Sequence, residues 1–201
     1  MISGVVLAAG SSSRMQQTKP LMPVGEKPML QHVVDVAFQA ALDEILVIVG
    51  HDADRVRDGV KLPSNARFVL NLDYEAGMST SLIAGLEAAD PTAEAVVVLM
   101  GDQPLLSPAV VRTLITTYEE TRMPVVCAMF RDAPGPTLLA VGIWEDLMSV
   151  EGDTGARAFI DENPDLVEEV AFDRNAPTDV DTEEDCRRVL EESARPREDE
   201  A

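Results

Sequence analysis

The chain has 201 residues, 46% of them apolar, with 36 acidic against 16 basic side chains and a formal net charge of −20. That length suits one core-forming domain, and no apolar run reaches the roughly eighteen residues of a membrane span. The acidic excess excludes nucleic acid and anionic membrane as partners, because both select Lys/Arg-rich surfaces.

Ile2 to Leu7 reads as a buried strand, entered directly from Met1 without the basic stretch of a signal peptide. It breaks into Ala8-Ala9-Gly10-Ser11-Ser12-Ser13-Arg14-Met15, with Lys19 and Lys27 following in the same short basic segment. Met29 to Ala41 has the apolar spacing of a helix, Glu44 to Val49 that of a strand, and Ala53 to Val60 that of a short helix. Arg67 to Leu70 is a third strand, followed by the polar stretch Asn71 to Ser79 and a helix from Thr80 to Ala89. Ala95 to Met100 is a β-branched strand, and Pro108 to Thr121 a helix with proline in its first turn. Strands at Val125 to Met129 and Thr137 to Val141 flank the turn-rich Asp132 to Pro136. Helices at Ile143 to Met148 and Thr154 to Glu162, a strand at Val167 to Phe172, the extended Thr178 to Asp181 and a helix from Thr182 to Glu192 complete the order. Such alternation predicts an α/β, doubly wound, mostly parallel sheet in a single domain over residues 1–193, with a disordered acidic tail at 194–201. Cys127 and Cys186 fall in different elements without metal-ligand spacing, the usage of a reducing, cytoplasmic setting.

Ligands of such sheets bind beyond the carboxyl ends of the strands, which singles out three loops. In the first, Leu7, Ala8, Ala9, Gly10, Ser11, Ser12 and Ser13 let backbone N–H groups approach a phosphate chain, and Arg14 and Lys19 supply the charge. It is neither a Walker loop nor a dinucleotide fingerprint, and the bland alternative is a capped turn. In the second, Gly101-Asp102-Gln103-Pro104 places a hard carboxylate directly after a buried strand, as Mg²⁺ prefers; the alternative is an Asp turn. In the third, Asp179 and Asp181 alternate along an extended segment, so that Asp181 is either the second metal carboxylate, opposite Asp102, or a helix cap. Two further stretches are suggestive. Asn71, Gly77, Ser79 and Ser81 surround a helix start whose amides and hydroxyls suit the edge of a base, and Arg157 after Gly152-Asp153-Thr154-Gly155-Ala156 suits an acidic substrate. For Asp153 and Thr154, helix capping is an equal reading. His32 and His51 read as structural or surface histidines.

Over about residues 2 to 192, these motifs resemble the molybdenum-cofactor nucleotidyltransferase family within the Rossmann-like nucleotidyltransferases, and its cytidylyl branch in particular. Ala8-Ala9-Gly10, Thr80-Ser81, Gly101-Asp102-Gln103-Pro104, Gly152 to Arg157 and Asp179-Val180-Asp181-Thr182 carry that likeness. The chain departs from it at Gln16, where the family commonly has glycine, and at Gly135-Pro136-Thr137, where it commonly has Gly-His-Pro. The resemblance implies Mg²⁺-dependent transfer of CMP from CTP to the terminal phosphate of molybdopterin. Arg14 and the loop amides would hold the β- and γ-phosphates, Lys19 the α-phosphate, Asp102 and Asp181 the metal, and Gln103, Arg157 and Asp179 the acceptor. A molybdenum hydroxylase or its maturation chaperone would receive the product. A GTP or sugar-phosphate nucleotidyltransferase and an NAD(P)H-dependent oxidoreductase are the alternatives.

Overall fold

The computed structural model describes residues 1–10 and 18–193, so Ser11, Ser12, Ser13 and Arg14 of the phosphate loop and the tail 194–201 lie outside it. The apolar runs become β1 (Ile2–Leu7), β4 (Glu44–Val49), β5 (Ala66–Leu70), β6 (Ala95–Met100), β7 (Val125–Phe130), β8 (Pro134–Ala140) and β9 (Val167–Phe172). They form one sheet in the order β5-β4-β1-β6-β8-β7-β9. All neighbours run parallel except β8, which is antiparallel to both β6 and β7. This is the mostly parallel doubly wound sheet expected. Strand β1 is buried at every position because helices cover both faces of the sheet, which is why it reads as an unbroken apolar run. Its one polar member, Ser3, donates to Glu44 Oε2 at 3.1 Å.

Helices α1 (Met29–Gln39), α2 (Ala53–Gly59) and α4 (Pro108–Thr121) bury Val33, Val34, Val56, Val110 and Leu114 against one face. On the other, α3 (Met78–Ala88), α5 (Trp144–Leu147) and α6 (Arg157–Glu162) supply Leu82, Leu86, Leu147 and Phe159. A third, small cluster joins the hairpin β2 (Pro23–Val24) and β3 (Lys27–Pro28) to α7 (Glu183–Ser193) through Met22, Val24, Val180 and Val189. Cys127 and Cys186 are buried in separate clusters, both as thiols. Among the described residues no helix is long and apolar enough to cross a membrane.

Most element boundaries shift by a residue or so from the sequence reading, α6 starts at Arg157 and not at Thr154, and three further differences have a visible cause. Helix α1 stops at Gln39 rather than Ala41, because Ala41 takes a left-handed φ of 62° to turn into β4. Helix α3 starts two residues early, at Met78. Strand β8 begins at Pro134, inside the stretch expected to be a turn. There its first residues pair with β7 alone, across an irregular register, while pairing with β6 starts only at Thr137. Prolines, which lack an N–H, are therefore tolerated along the unpaired side. The β2–β3 hairpin, turning at Gly25 with φ 65°, was not anticipated.

Candidate active site

Strands β1 and β6 are parallel neighbours in a register that sets Leu7 opposite Met100, so Ala8-Ala9-Gly10 and Gly101-Asp102 leave the sheet side by side. Gly101 N donates to Leu7 O at 2.9 Å, and a Cβ on Gly101 would stand 2.7 Å from that oxygen. The glycine after β6 thus serves the contact between the two loops. A cavity of about 410 Å³ opens at this edge. Leu7, Ala8, Ala9 and Gly10 form one side, Tyr74, Gly77, Met78 and Ser81 another, and Lys19 with Asp102 the end.

At that end three sequence-distant groups converge. Lys19 Nζ lies 2.8 Å from Asp102 Oδ2 and 2.6 Å from Asp181 Oδ1. Burial pulls the Lys19 ammonium down, but the charges and hydrogen bonds of Asp102 and Asp181 outweigh it, and the group titrates above its ordinary value. The lysine sits in a 3₁₀ turn, Lys19–Leu21, stiffened by Pro20. Ahead of it, Thr18 Oγ1 donates to Asp52 Oδ2 at 2.7 Å, which holds the Asp52 carboxyl below the usual carboxylate range. Asp52 itself has the left-handed φ of 53°. Neither Thr18 nor Asp52 carries a motif, so sequence reasoning missed this anchor.

The third loop arrives through α7. Val180 is fully buried in the small cluster, and its N–H donates to the Asp102 carbonyl at 3.0 Å. Its neighbours are thereby set to either side of the cation: Asp181 on Lys19, and Asp179 accepting from Gln103 Nε2 at 2.9 Å. Burial, reinforced by the charges of Asp102 and Asp181, pushes the Asp179 carboxyl above its usual value. Gln103 and Asp179 are therefore bonded to each other beside the site and do not line the cavity.

The donor set suits a divalent ion that shares its shell with phosphates. Asp102 and Asp181 already embrace one cation. Asp102 Oδ1 is buried and without a hydrogen-bond partner among the described residues. No group of three or more His, Cys, Asp or Glu among those residues stands ready to hold a metal alone. Two carboxylates completed by substrate oxygens is the usual Mg²⁺ arrangement.

The expected base-reading residues divide. Ser81 and Gly77 line the cavity. Ser79 is buried and outside the cavity lining. Asn71 is also buried; its Nδ2 donates to Thr80 Oγ1 (2.9 Å) and Ser81 Oγ (3.0 Å), and its Oδ1 accepts from Asp73 N at 2.9 Å. Asn71 thus braces the start of α3 instead of facing a ligand. Tyr74 is an unanticipated wall, seated over Gly50, where a Cβ would meet its ring at 2.7 Å. Asp153 is a cap, but of a distant helix: its Oδ1 accepts from Met78 N, at the start of α3, at 3.2 Å.

A second, more apolar cavity of about 260 Å³ adjoins the first and shares Leu7, Met78 and Met100 with it. Pro136 and Thr137 line it, as does Arg157, whose Nε pairs with Asp161 at 2.9 Å. Val98 and Met100 alternate as the partly buried members of β6 and line the second cavity.

Residues 4–168 match the family model of the MobA-like NTP transferase domain. Nicotine blue oxidoreductase of Paenarthrobacter nicotinovorans is 30% identical over 198 residues, covering 94% of this chain and 96% of that protein. The crystal structure of Rv0371c from Mycobacterium tuberculosis H37Rv superposes with a TM-score of 0.83 at 31% identity, covering 94% of this chain and 97% of the other. Its complex with manganese gives 0.79 at the same identity and coverage. The bifunctional protein GlmU of Cellvibrio japonicus is 33% identical over 139 residues, a stretch equal to 68% of this chain but only 29% of GlmU.

Proposed function

The chain belongs to the MobA-like NTP transferase family, and from that premise we propose that it transfers CMP from CTP to the terminal phosphate of molybdopterin, releasing pyrophosphate. Nucleotidyl transfer is the activity that family and fold support. The observation carrying the nucleotidyl-transfer reading is the convergence of Lys19, Asp102 and Asp181 at the end of the cavity beyond β1 and β6; the choice of CTP and molybdopterin rests on the cytidylyl-branch motifs in the sequence.

The acceptor phosphate attacks the α-phosphorus of CTP in line and is already anionic, so no general base is needed. The chain's work is to position the reactants and neutralise charge. Lys19 lines the cavity and stabilises charge growing on the α-phosphate oxygens, a contribution that counts because it is larger in the transition state than in the ground state. Arg14 and the amides of residues 8–13 bind the β- and γ-phosphates. Asp102 and Asp181 would hold Mg²⁺, whose charge offsets that of the triphosphate. Manganese in the Rv0371c complex supports a divalent ion in this family. Small residues at Ala9, Gly77 and Ser81 let the backbone approach the base closely, and the preference for CTP rests on the likeness of these loops to the cytidylyl branch. The adjoining cavity, with Arg157 and Thr137, receives the acceptor, while Gln103 and Asp179 set the loop beside it. The product then passes to a molybdenum hydroxylase or its chaperone. Buried thiols at Cys127 and Cys186 support a cytoplasmic enzyme.

Steady-state comparison of CTP, GTP, ATP and UTP with molybdopterin tests this: CTP should be preferred, and a clear GTP preference would reassign the base. Asp102→Asn should lower turnover by about 10²-fold or more with an unchanged melting profile, and Asp181→Asn by less, because the Asp181 side chain is 61% exposed against 23% for Asp102 and water screens its charge more. Wild-type pyrophosphate release by Asp102→Asn at limiting Mg²⁺ would refute the metal assignment. The name of the Paenarthrobacter relative raises a second reading, NAD(P)H-dependent reduction, which NADH oxidation with quinone-like acceptors addresses directly.

A further inference from the structure

We propose that the Lys19 ammonium and the divalent ion are alternative occupants of the Asp102–Asp181 pair, so that metal is admitted together with the triphosphate and not before it. This rests on the reading of Asp102 and Asp181 as the metal carboxylates. One oxygen of each already faces Lys19 Nζ, at 2.8 and 2.6 Å, and the Lys19 and Asp102 side chains are only 20% and 23% exposed. A 2+ ion brought to the same oxygens would stand within a few ångströms of a 1+ charge in a partly desolvated site, and that repulsion opposes their joint residence.

The surroundings fix the backbone on which Asp102 and Asp181 stand, the Asp181 side chain itself being 61% exposed, and the exchange turns on the long lysine stem. Val180, buried and bonded to the Asp102 carbonyl, pins the segment that carries Asp181. The Lys19 backbone is held by the Thr18–Asp52 hydrogen bond, by Pro20 and by Leu21 N donating to Thr18 O at 2.9 Å. The exchange is therefore a rotation of a four-carbon side chain. Lys19 also lines the 410 Å³ cavity, so phosphate oxygens placed there offer the ammonium a new anionic partner as it leaves the carboxylates. Asp102 Oδ1, buried and without a partner among the described residues, is the oxygen that the ammonium leaves unused. The linkage is reciprocal: nucleotide raises the affinity for metal, and metal that for nucleotide, by the same factor.

Mn²⁺ binding to the full chain, followed by electron paramagnetic resonance, tests this with and without a CTP analogue whose α,β-bridging oxygen is methylene. Binding to the analogue in solution is measured separately and subtracted. Wild type should bind Mn²⁺ weakly alone and about tenfold or more tightly with the analogue, whereas Lys19→Met should bind Mn²⁺ about tenfold more tightly than wild type without nucleotide. If Lys19→Met does not fold, Lys19→Gln carries the same expectation. Unchanged or weaker Mn²⁺ affinity in the folded neutral variant overturns the exchange. Adding Asp102→Asn to Lys19→Met should abolish the gained affinity. If the double variant keeps it, the metal reading itself fails, and the exchange with it.

Discussion

At the scale of single residues, Asp179 shows how the site strains the fold around it. The residue is exposed by surface area, yet its carboxyl faces the charges of Asp102 and Asp181 and is held above the ordinary carboxylate value despite the Gln103 hydrogen bond. A carboxyl raised in the folded state favours folding below its unfolded value, near about 3.9, and that contribution is lost as pH rises through the folded value. At neutral pH the charged form is therefore a burden. Asp179→Asn keeps the Oδ1 acceptor for Gln103, and should raise the melting midpoint at pH 7 by no more than about 2 °C, because solvent screens an exposed carboxylate. The gain should vanish as pH falls toward about 4. A gain that is flat across pH would point to packing and not to charge. The sequence marked Asp179 as a site residue through its alternation with Asp181. It could not show that Gln103 takes the hydrogen bond, since those residues lie 76 positions apart.

At the scale of elements, the start of α3 is set by contacts the local sequence does not contain. Gly77 has φ 115°, and a Cβ there would come within 2.6 Å of the Gly152 carbonyl group, while Asp153 from the same turn caps Met78. Gly25 also has a positive φ, 65°, but a Cβ there would meet only Leu190 Cδ2, at 3.7 Å. Gly25→Ala should accordingly cost about 1 kcal/mol, the conformational term alone, and Gly77→Ala about 2–4 kcal/mol, with the excess coming from backbone contact. Denaturant unfolding of the two variants measures the difference; equal losses would mean that the 152–153 turn yields freely. The same distinction explains which boundaries were legible. Pro108 to Thr121 was read to the residue, because Ser107 caps it locally by accepting from Ala109 N at 3.3 Å, and proline opens it. The first residues of β8 were not, because prolines enter a strand only when a neighbour leaves that edge unpaired, which is a property of the sheet.

At the scale of the molecule, a formal net charge of −20 on 201 residues places the folded state under self-repulsion. Salt shortens the reach of that repulsion, to about 3 Å at 1 M. The melting midpoint should therefore rise by about 3 °C between low salt and 1 M KCl, a shift of roughly 1 kcal/mol for a chain of this size. Calorimetry in a KCl series checks it, and a midpoint insensitive to salt would show that local ion pairs already cancel the excess.

By itself the sequence determined the chain order of the central-sheet strands and the main helices, though not the β2–β3 hairpin, and the chemistry of three loops, because burial on both faces writes unbroken apolar runs, and a phosphate or metal loop needs small residues and carboxylates at the strand's end. Tertiary structure decided which of those groups meet. Lys19 finds Asp102 and Asp181 across 83 and 162 positions, Asn71 turns inward to brace α3, and Tyr74 closes the cavity over Gly50. The physical reason is that β1 and β6 deliver their loops to one edge only once they pair in register, and Asp181 reaches that edge only because Val180 buries itself beneath α7.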